Sequence, residues 1–102
     1  MLEKFQTYQM AVRFHRECVS LKLPYYLKNQ LLRASSSIAL NLAEGSTRGT
    51  EKEKLRFYRI AFGSLRECQA ALDLVQEPNA RLRSSANLIG GCLYRLCHPK
   101  PA

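Results

Sequence analysis

The chain has 102 residues, which is enough for one small domain with a core and few enough to benefit from association. Lys and Arg outnumber Asp and Glu by 16 to 8, and the resulting formal charge of +8 favours polyanionic partners, nucleic acid first. No apolar run is long enough for a membrane span, and no signal peptide is evident, so we expect residues 1–102 to form a single cytoplasmic domain without a membrane partner.

The first predicted helix covers residues 5–20. Its apolar residues recur at spacings of three and four, and Met10 and Phe14 widen the apolar arc beyond what contact with one helix needs. His15 falls in the apolar row. We interpret it as a packed histidine that bonds to a nearby polar group, since the sequence shows no partner nucleophile.

The second predicted helix covers residues 25–44. Pro24 is acceptable in its first turn, and Gly45 is predicted to end it in the left-handed conformation. An apolar stripe at spacings of three and four predicts its core face. The members of that stripe are Leu27, Leu31, Ala34, Ile38 and Leu42.

A second row of side chains on this helix is polar. Its members, the polar row, are Gln30, Arg33, Ser37, Asn41 and Glu44. Residues three and four apart touch on a helix surface, so the row could form one continuous line of hydrogen bonds. One interpretation is a solvated face. The short hydrogen-bonding side chains also suit a row that is pressed against another helix or subunit.

The third predicted helix covers residues 51–76. Thr50 with Glu53 three residues later has capping-box spacing, and Pro78 prevents the helix from continuing. A core seam is expected along one side, with Ala61 and Cys68 beside it. That seam comprises Leu55, Tyr58, Phe62, Leu65, Leu72 and Val75.

Another side of the third helix carries four cations within an arc of about 80°. These residues, the basic stripe, are Lys52, Arg56, Arg59 and Arg66. Gly63 lies in the middle of the stripe. The missing side chain predicts the close approach of a helix or a ligand at Gly63, and the same is predicted at Gly45. The stripe is either a solvated face or a set of sequence-independent phosphate contacts. Glu67 flanks it and is predicted to pair with Arg33 or Arg66.

The fourth predicted helix covers residues 80–97, with Asn79 as its predicted cap. A regular apolar seam lies on one face of this helix. Gly90 and Gly91 lie on the other face and weaken the helix there. The tail that begins at His98 cannot continue the helix, because it contains two prolines.

Four helices joined by short loops predict an all-α fold, an antiparallel up-down four-helix bundle. Several apolar residues lie off the main seams, which predicts that the bundle associates with copies of itself. These residues are Met10, Phe14, Leu32 and Leu40.

The residues that carry catalysis or bind metals are not arranged in any standard pattern. Cys92, Cys97 and His98 match no usual ligand spacing, and there is no Cys-x-x-Cys pair. The sequence also lacks paired carboxylates and a glycine-rich phosphate loop. We therefore expect no catalysis, no metal and no other cofactor. Cys18 and Cys68 are interpreted as core residues.

The central half of the chain resembles a known family. The segment from Arg33 to Ser46, RASSSIALNLAEGS, is followed by Glu53, Arg56 and the segment IAFGSLRE over residues 60–67. Together they resemble the signature of bacterial four-helix-bundle proteins encoded by intervening sequences of 23S rRNA genes. That family is similar to the accessory proteins of diversity-generating retroelements. The resemblance implies a homopentamer whose partner is nucleic acid or a nucleic-acid enzyme, with no enzymatic activity of its own.

Two functions follow from the residues and the resemblance together. The preferred hypothesis is a homo-oligomer that binds nucleic acid, RNA favoured, through phosphate contacts with the basic stripe. The alternative is a non-enzymatic adaptor that docks a protein partner, such as a reverse transcriptase or another RNA-handling enzyme.

Overall fold

The computed structural model describes residues 5–101, which form four α-helices and no strands. The helices are α1 (Gln6–Ser20), α2 (Tyr25–Ser46), α3 (Glu51–Asp73) and α4 (Ala80–Cys97). Helices α1 and α3 each pack against both α2 and α4, so the four helices surround one shared core. The predicted all-α class is confirmed, and none of these helices is long and apolar enough to cross a membrane.

The core follows the predicted seams in α2 and departs from them in α1. All five members of the α2 stripe are buried. In α1 the buried residues are Ala11, Phe14 and Cys18, whereas Val19 at the end of the predicted seam is exposed. Phe14 is only 1% exposed, so the part of the wide apolar arc that it forms is buried within the bundle and not between subunits.

Gly45 lies inside α2 rather than beyond its end. No residue among 5–101 has a positive φ, and the helix continues through Ser46 to a right-handed cap at Thr47, so the predicted left-handed ending is wrong. Gly45 is buried against α3. A Cβ atom placed on it would lie 2.6 Å from Cε1 of Tyr58 and 3.2 Å from Cβ of Phe57. The missing side chain therefore lets α2 and α3 approach closely.

The caps of α3 and α4 differ from each other. The Thr50 hydroxyl accepts a hydrogen bond from the Glu53 amide at 3.2 Å, as the capping spacing predicted. Asn79 does not cap α4 with its side chain. Its amide nitrogen donates to the Leu72 carbonyl at 3.3 Å, and Arg83 donates to the same carbonyl at 3.0 Å. A longer α3 would use the Leu72 carbonyl as a backbone acceptor, and these two bonds occupy it. The helix ends at Asp73, earlier than the predicted residue 76.

His15 is a packed histidine, as its position in the apolar row indicated. The half-buried imidazole shares a hydrogen bond of 2.7 Å between its Nδ1 and the Ser35 hydroxyl. Ser35 is fully buried, and its hydroxyl also donates to the Leu32 carbonyl at 3.3 Å. The polar atoms between α1 and α2 are therefore satisfied by each other.

Two helical glycines provide a matched test of the close approach of α2 and α3. Gly45→Ala should lower the free energy of unfolding by about 1–3 kcal/mol, because the added methyl group would overlap the buried Tyr58 ring. Gly63→Ala should raise it by about 0.5–1 kcal/mol, because that position is open and alanine favours the helix. Chemical denaturation of both variants measures the difference. Stabilisation by Gly45→Ala would show that the two helices do not meet there.

Candidate nucleic-acid interface

The basic stripe lies on the outer face of α3, opposite the seam that the bundle buries. Its four residues are all exposed, whereas Ala61, Leu65 and Leu72 on the other side of the helix are completely buried. Successive residues turn by about 100° around the helix axis, so burial of the core seam on one side of α3 places the basic stripe on the opposite, exposed side. The structure therefore brings Lys52, Arg56, Arg59 and Arg66 together on one solvent-facing surface.

No member of the basic stripe forms an ion pair with any residue among 5–101. The ion pairs in that range use other cations, namely Arg48–Glu44 at 2.6 Å, Arg81–Glu17 at 3.5 Å and Arg83–Asp73 at 2.7 Å. Arg66 donates to the side-chain oxygen of Gln69 at 3.0 Å, which is a neutral acceptor. The positive charge of the stripe is therefore not neutralised by carboxylates of the described chain.

Gly63 leaves the centre of the stripe open. Apart from its two chain neighbours and the nearby backbone of α3, no atom of the described residues lies within 4 Å of the position where its Cβ would be, and the residue is exposed. No helix of the described bundle packs there, so the structure does not bring a neighbour against Gly63 as it does against Gly45. The exposed Ala70, two helical turns further along, also has a small side chain. A ligand can therefore reach the helix surface between the cations.

An aromatic ring on one flank of the stripe holds two guanidinium groups. The Arg56 guanidinium lies 4.8 Å from the centroid of the Phe57 ring, and that of Arg48 lies 4.7 Å from the same centroid. Such cation–π contacts restrict a side chain and leave its charge intact. Arg48 was not predicted from the sequence, because it lies in the loop before α3 and has no helical spacing with the stripe.

Three aromatic rings on the other flank connect α3 to the end of α4. The Arg66 guanidinium lies 4.9 Å from the Phe62 ring centroid, and Phe62 meets Tyr94 edge-on at 6.4 Å. Tyr94 stacks on His98 with centroids 4.1 Å apart and an interplanar angle of 25°. We call Phe62, Tyr94 and His98 the aromatic ladder. The spacing of four between Tyr94 and His98 was visible in the sequence, but their position beside Arg66 was not.

The polar row is divided into three separate groups. Arg33 donates to Gln30 at 2.8 Å within α2, and at the other end of the helix Arg48 donates to Glu44 at 2.6 Å. The long side chains at both ends bond to neighbours outside the centre of the row, so the hydrogen bonds do not form one continuous line.

The centre of the polar row connects α2 to α3. Asn41 donates to the Ser37 hydroxyl at 3.0 Å, and the buried Ser64 hydroxyl of α3 donates to the same oxygen at 2.8 Å. This part of the row is pressed against a neighbouring helix, as one interpretation proposed. Glu67 is exposed and makes no ion pair among residues 5–101, with Arg33, Arg66 or any other cation.

The cysteines are all free thiols, and two of them lie at the centre of the bundle. Burial raises the pKa of both Cys18 and Cys68 to about 12. Both therefore stay protonated at neutral pH and act as small core residues, as interpreted from the sequence. Residues 5–101 contain no cluster of three or more His, Cys, Asp or Glu side chains that could hold a metal ion.

Comparison with known proteins identifies one similarity. A family model described as 23S rRNA-intervening sequence protein matches residues 3–88, a range that includes α2, α3 and the whole basic stripe. Searches of curated proteins and of solved structures find no match.

Two adjacent serines of α2 test the polar contact with α3. Ser37→Ala should lower the free energy of unfolding by about 1 kcal/mol or more, because the buried Ser64 hydroxyl would lose its acceptor and the Asn41 amide would keep only its bond to the Ser37 carbonyl. Ser36 bonds only to the Arg33 carbonyl of its own helix, so Ser36→Ala should change stability by less than about 0.5 kcal/mol. Equal effects in urea denaturation would contradict a structural role for the Ser37–Ser64 contact.

Proposed function

The chain belongs to the 23S rRNA-intervening sequence protein family, and within that assignment we propose that it binds nucleic acid, RNA favoured, through the basic stripe of α3. The observation that carries this proposal is the group of four exposed cations that have no acidic partner among the described residues. Unpaired Lys and Arg side chains on one face attract phosphates and release counterions when they bind them.

The dimensions of the stripe suit a nucleic-acid strand. From Lys52 to Arg66 the helix rises about 21 Å at 1.5 Å per residue. Along the axis of a stacked duplex, at 3.4 Å per nucleotide, this length corresponds to about six phosphates of one strand. The contacts of Arg56 with Phe57 and of Arg66 with Phe62 hold two of the guanidinium groups in place before the ligand arrives. Binding then costs less side-chain conformational entropy.

Phosphate contacts of this kind carry no sequence preference. The stripe is a line of cations along one exposed helix face, and neither Gly63 nor Ala70 between them provides a side chain that could read base edges. We therefore propose binding that is independent of sequence and sensitive to salt.

We also infer an antiparallel up-down arrangement of the helices. Between α3 and α4, the Phe62 ring contacts the Tyr94 ring, and Gln69 Nε2 donates a hydrogen bond to Asn87 Oδ1 at 3.1 Å. The residue numbers rise in one helix as they fall in the other. Short connections between consecutive helices favour the same arrangement for the remaining pairs.

The bundle is further proposed to assemble as a homo-oligomer, a pentamer by the family resemblance. Phe14 no longer supports this inference, because it is buried within one chain, and Met10 and Leu32 pack partly against the core. Leu40 supports it, since its side chain is 65% exposed on the outer face of α2. An assembly would repeat the basic stripe in every subunit and strengthen its field.

The second candidate function is an adaptor for a protein partner such as a reverse transcriptase or another RNA-handling enzyme. The observation that favours it is the exposure of large apolar side chains on three helices, among them Leu40, Ile60 and Leu88. Surfaces of this kind mark contacts with other proteins when they are contiguous.

In both cases we propose a binding role in the cytoplasm and not a catalytic one. The four free thiols suit a reducing compartment. Ser35, the hydroxyl that His15 contacts, is fully buried and therefore out of reach of a substrate. A serine and a histidine in hydrogen-bond contact need an open approach to the hydroxyl before they can act on a substrate.

The double variant Arg56→Gln with Arg59→Gln tests the stripe. It should weaken RNA binding and reduce the slope of log affinity against log salt by about 0.7–0.9 for each arginine that contacts a phosphate. Fluorescence anisotropy with a labelled RNA at several salt concentrations measures both quantities. Circular dichroism should show unchanged helicity.

The matched control is Arg13→Gln with Arg16→Gln. These two arginines are exposed on α1, make no ion pair among residues 5–101, and their replacement changes the net charge equally. The control should keep nearly the original salt slope. If the two double variants weakened RNA binding equally, that binding would depend only on the net charge of the protein. An unchanged salt slope in the folded stripe variant would favour the adaptor function.

The proposed oligomer predicts a mass several times the 11.7 kDa of one chain. Light scattering at micromolar concentration should report that mass, and Leu40→Asp should reduce it, because the exposed apolar side chain would become charged. Measurements at low and high salt separate apolar association from charge effects. A monomer mass in all conditions would refute self-association.

A further inference from the structure

The aromatic ladder exposes ring surface beside the basic stripe. Tyr94 is 55% exposed although it contacts two other rings, and His98 at the end of the ladder is exposed as well. Phe62 at the other end is half-buried and packs partly against the core. The ladder therefore extends from the wall of the bundle into solvent.

The outer end of the ladder is held in place by the end of α4. His98 Nδ1 lies 2.9 Å from the Tyr94 carbonyl oxygen, which can only accept, so Nδ1 carries the proton and donates. The His98 backbone amide donates to the same oxygen at 3.0 Å. These two bonds orient the imidazole against the Tyr94 ring and leave Nε2 facing solvent without a partner among the described residues.

Cations of the stripe surround the inner end of the ladder. Arg66 lies over Phe62, as described above. Arg59 precedes Phe62 by three residues on α3, so the two side chains are neighbours on the helix surface. The ladder and the stripe therefore form one continuous surface with phosphate-binding groups beside exposed rings.

We propose that the aromatic ladder is a base-stacking site and that the nucleic acid bound by this protein is single-stranded. An unpaired base extends the Tyr94–His98 stack while the adjoining phosphates lie along the basic stripe. This inference rests on the proposed function and names its substrate class. The match to the family model ends at residue 88, so Tyr94 and His98 lie outside it.

The physical reason is that only a single strand offers what both surfaces bind. In a duplex, each base is covered on both faces by its neighbours, so an aromatic ring cannot stack on it without opening the helix. Proteins that bind single strands combine a basic groove with aromatic rings, because every base has a face that stacks. The stripe alone would accept either form of nucleic acid.

Tyr94→Ala tests the stacking directly. It should weaken binding to short oligoadenylate and oligouridylate by about 5- to 140-fold, the range that corresponds to 1–3 kcal/mol for one stacked base. The salt slope and the affinity for an RNA duplex should not change, because every phosphate-binding cation remains in place. Tyr94→Phe, which keeps the ring, should retain most of the affinity. Tyr25→Ala is the control, since Tyr25 is 81% exposed at the start of α2.

A second variant keeps the test decisive if Tyr94→Ala is unstable. The chain contains no tryptophan, so Tyr94→Trp introduces a single fluorescent reporter that preserves an aromatic ring. Its emission should be quenched by the oligonucleotides when a base stacks on it. Quenching should be absent with the RNA duplex and in the matched variant Tyr25→Trp.

The outcomes separate this inference from the proposed function. If Tyr94→Ala binds single strands normally while Arg56→Gln with Arg59→Gln binds them weakly, base stacking is refuted and phosphate binding stands. Equal weakening of single-strand and duplex binding by Tyr94→Ala would also refute stacking. If neither variant affects any RNA, both the inference and the proposed function are wrong.

Discussion

The close contact between α2 and α3 is the constraint on which the rest of the structure depends. Gly45 provides the space for the Tyr58 ring at one end of this contact, and the Ser37–Ser64 hydrogen bond joins the two helices nearer its centre. Because one side of α3 is committed to α2 and the core, the opposite side must face outward. The cations of the basic stripe lie on that side, so packing and charge presentation are two consequences of the same helical register.

The polar groups and thiols inside the bundle are satisfied or protonated, whereas the cations on the exposed face of α3 have no acidic partner among the described residues. Among the described residues no buried side-chain nitrogen or oxygen lacks a hydrogen-bond partner. Burial keeps the thiols of Cys18 and Cys68 protonated, and His15 is engaged by the buried Ser35. A core in which every polar group is satisfied adds rigidity. That rigidity fixes the positions along α3 and α4 from which the exposed cations and aromatic rings extend.

The surface formed by α3 and the end of α4 offers two kinds of proposed contact with different physical dependence. In the proposed binding mode, contacts between phosphates and the basic stripe would weaken with salt, whereas stacking on the aromatic ladder would depend on ring area and be less sensitive to salt. Arg66 is a member of the basic stripe, and its guanidinium group also contacts the Phe62 ring of the aromatic ladder. A single strand that uses both surfaces would be held by charge and oriented by stacking. Measurements of salt dependence and of strand preference can therefore separate the two contributions.

The sequence by itself determined the features that depend on local spacing, and the tertiary structure decided the features that depend on how one helix meets another. Helical periodicity placed the four helices, the buried stripe of α2 and the exposed arc of α3 correctly, because it follows from geometry within about one turn. The ending assigned to Gly45 was wrong, and the sequence did not decide whether Phe14 is buried in the bundle or between subunits, since each depends on a neighbouring helix. The contact of Phe62 with Tyr94 was not visible in any local period. Residues 32 positions apart meet only because the register of α4 against α3 brings them together, and that register is set by packing across the whole core.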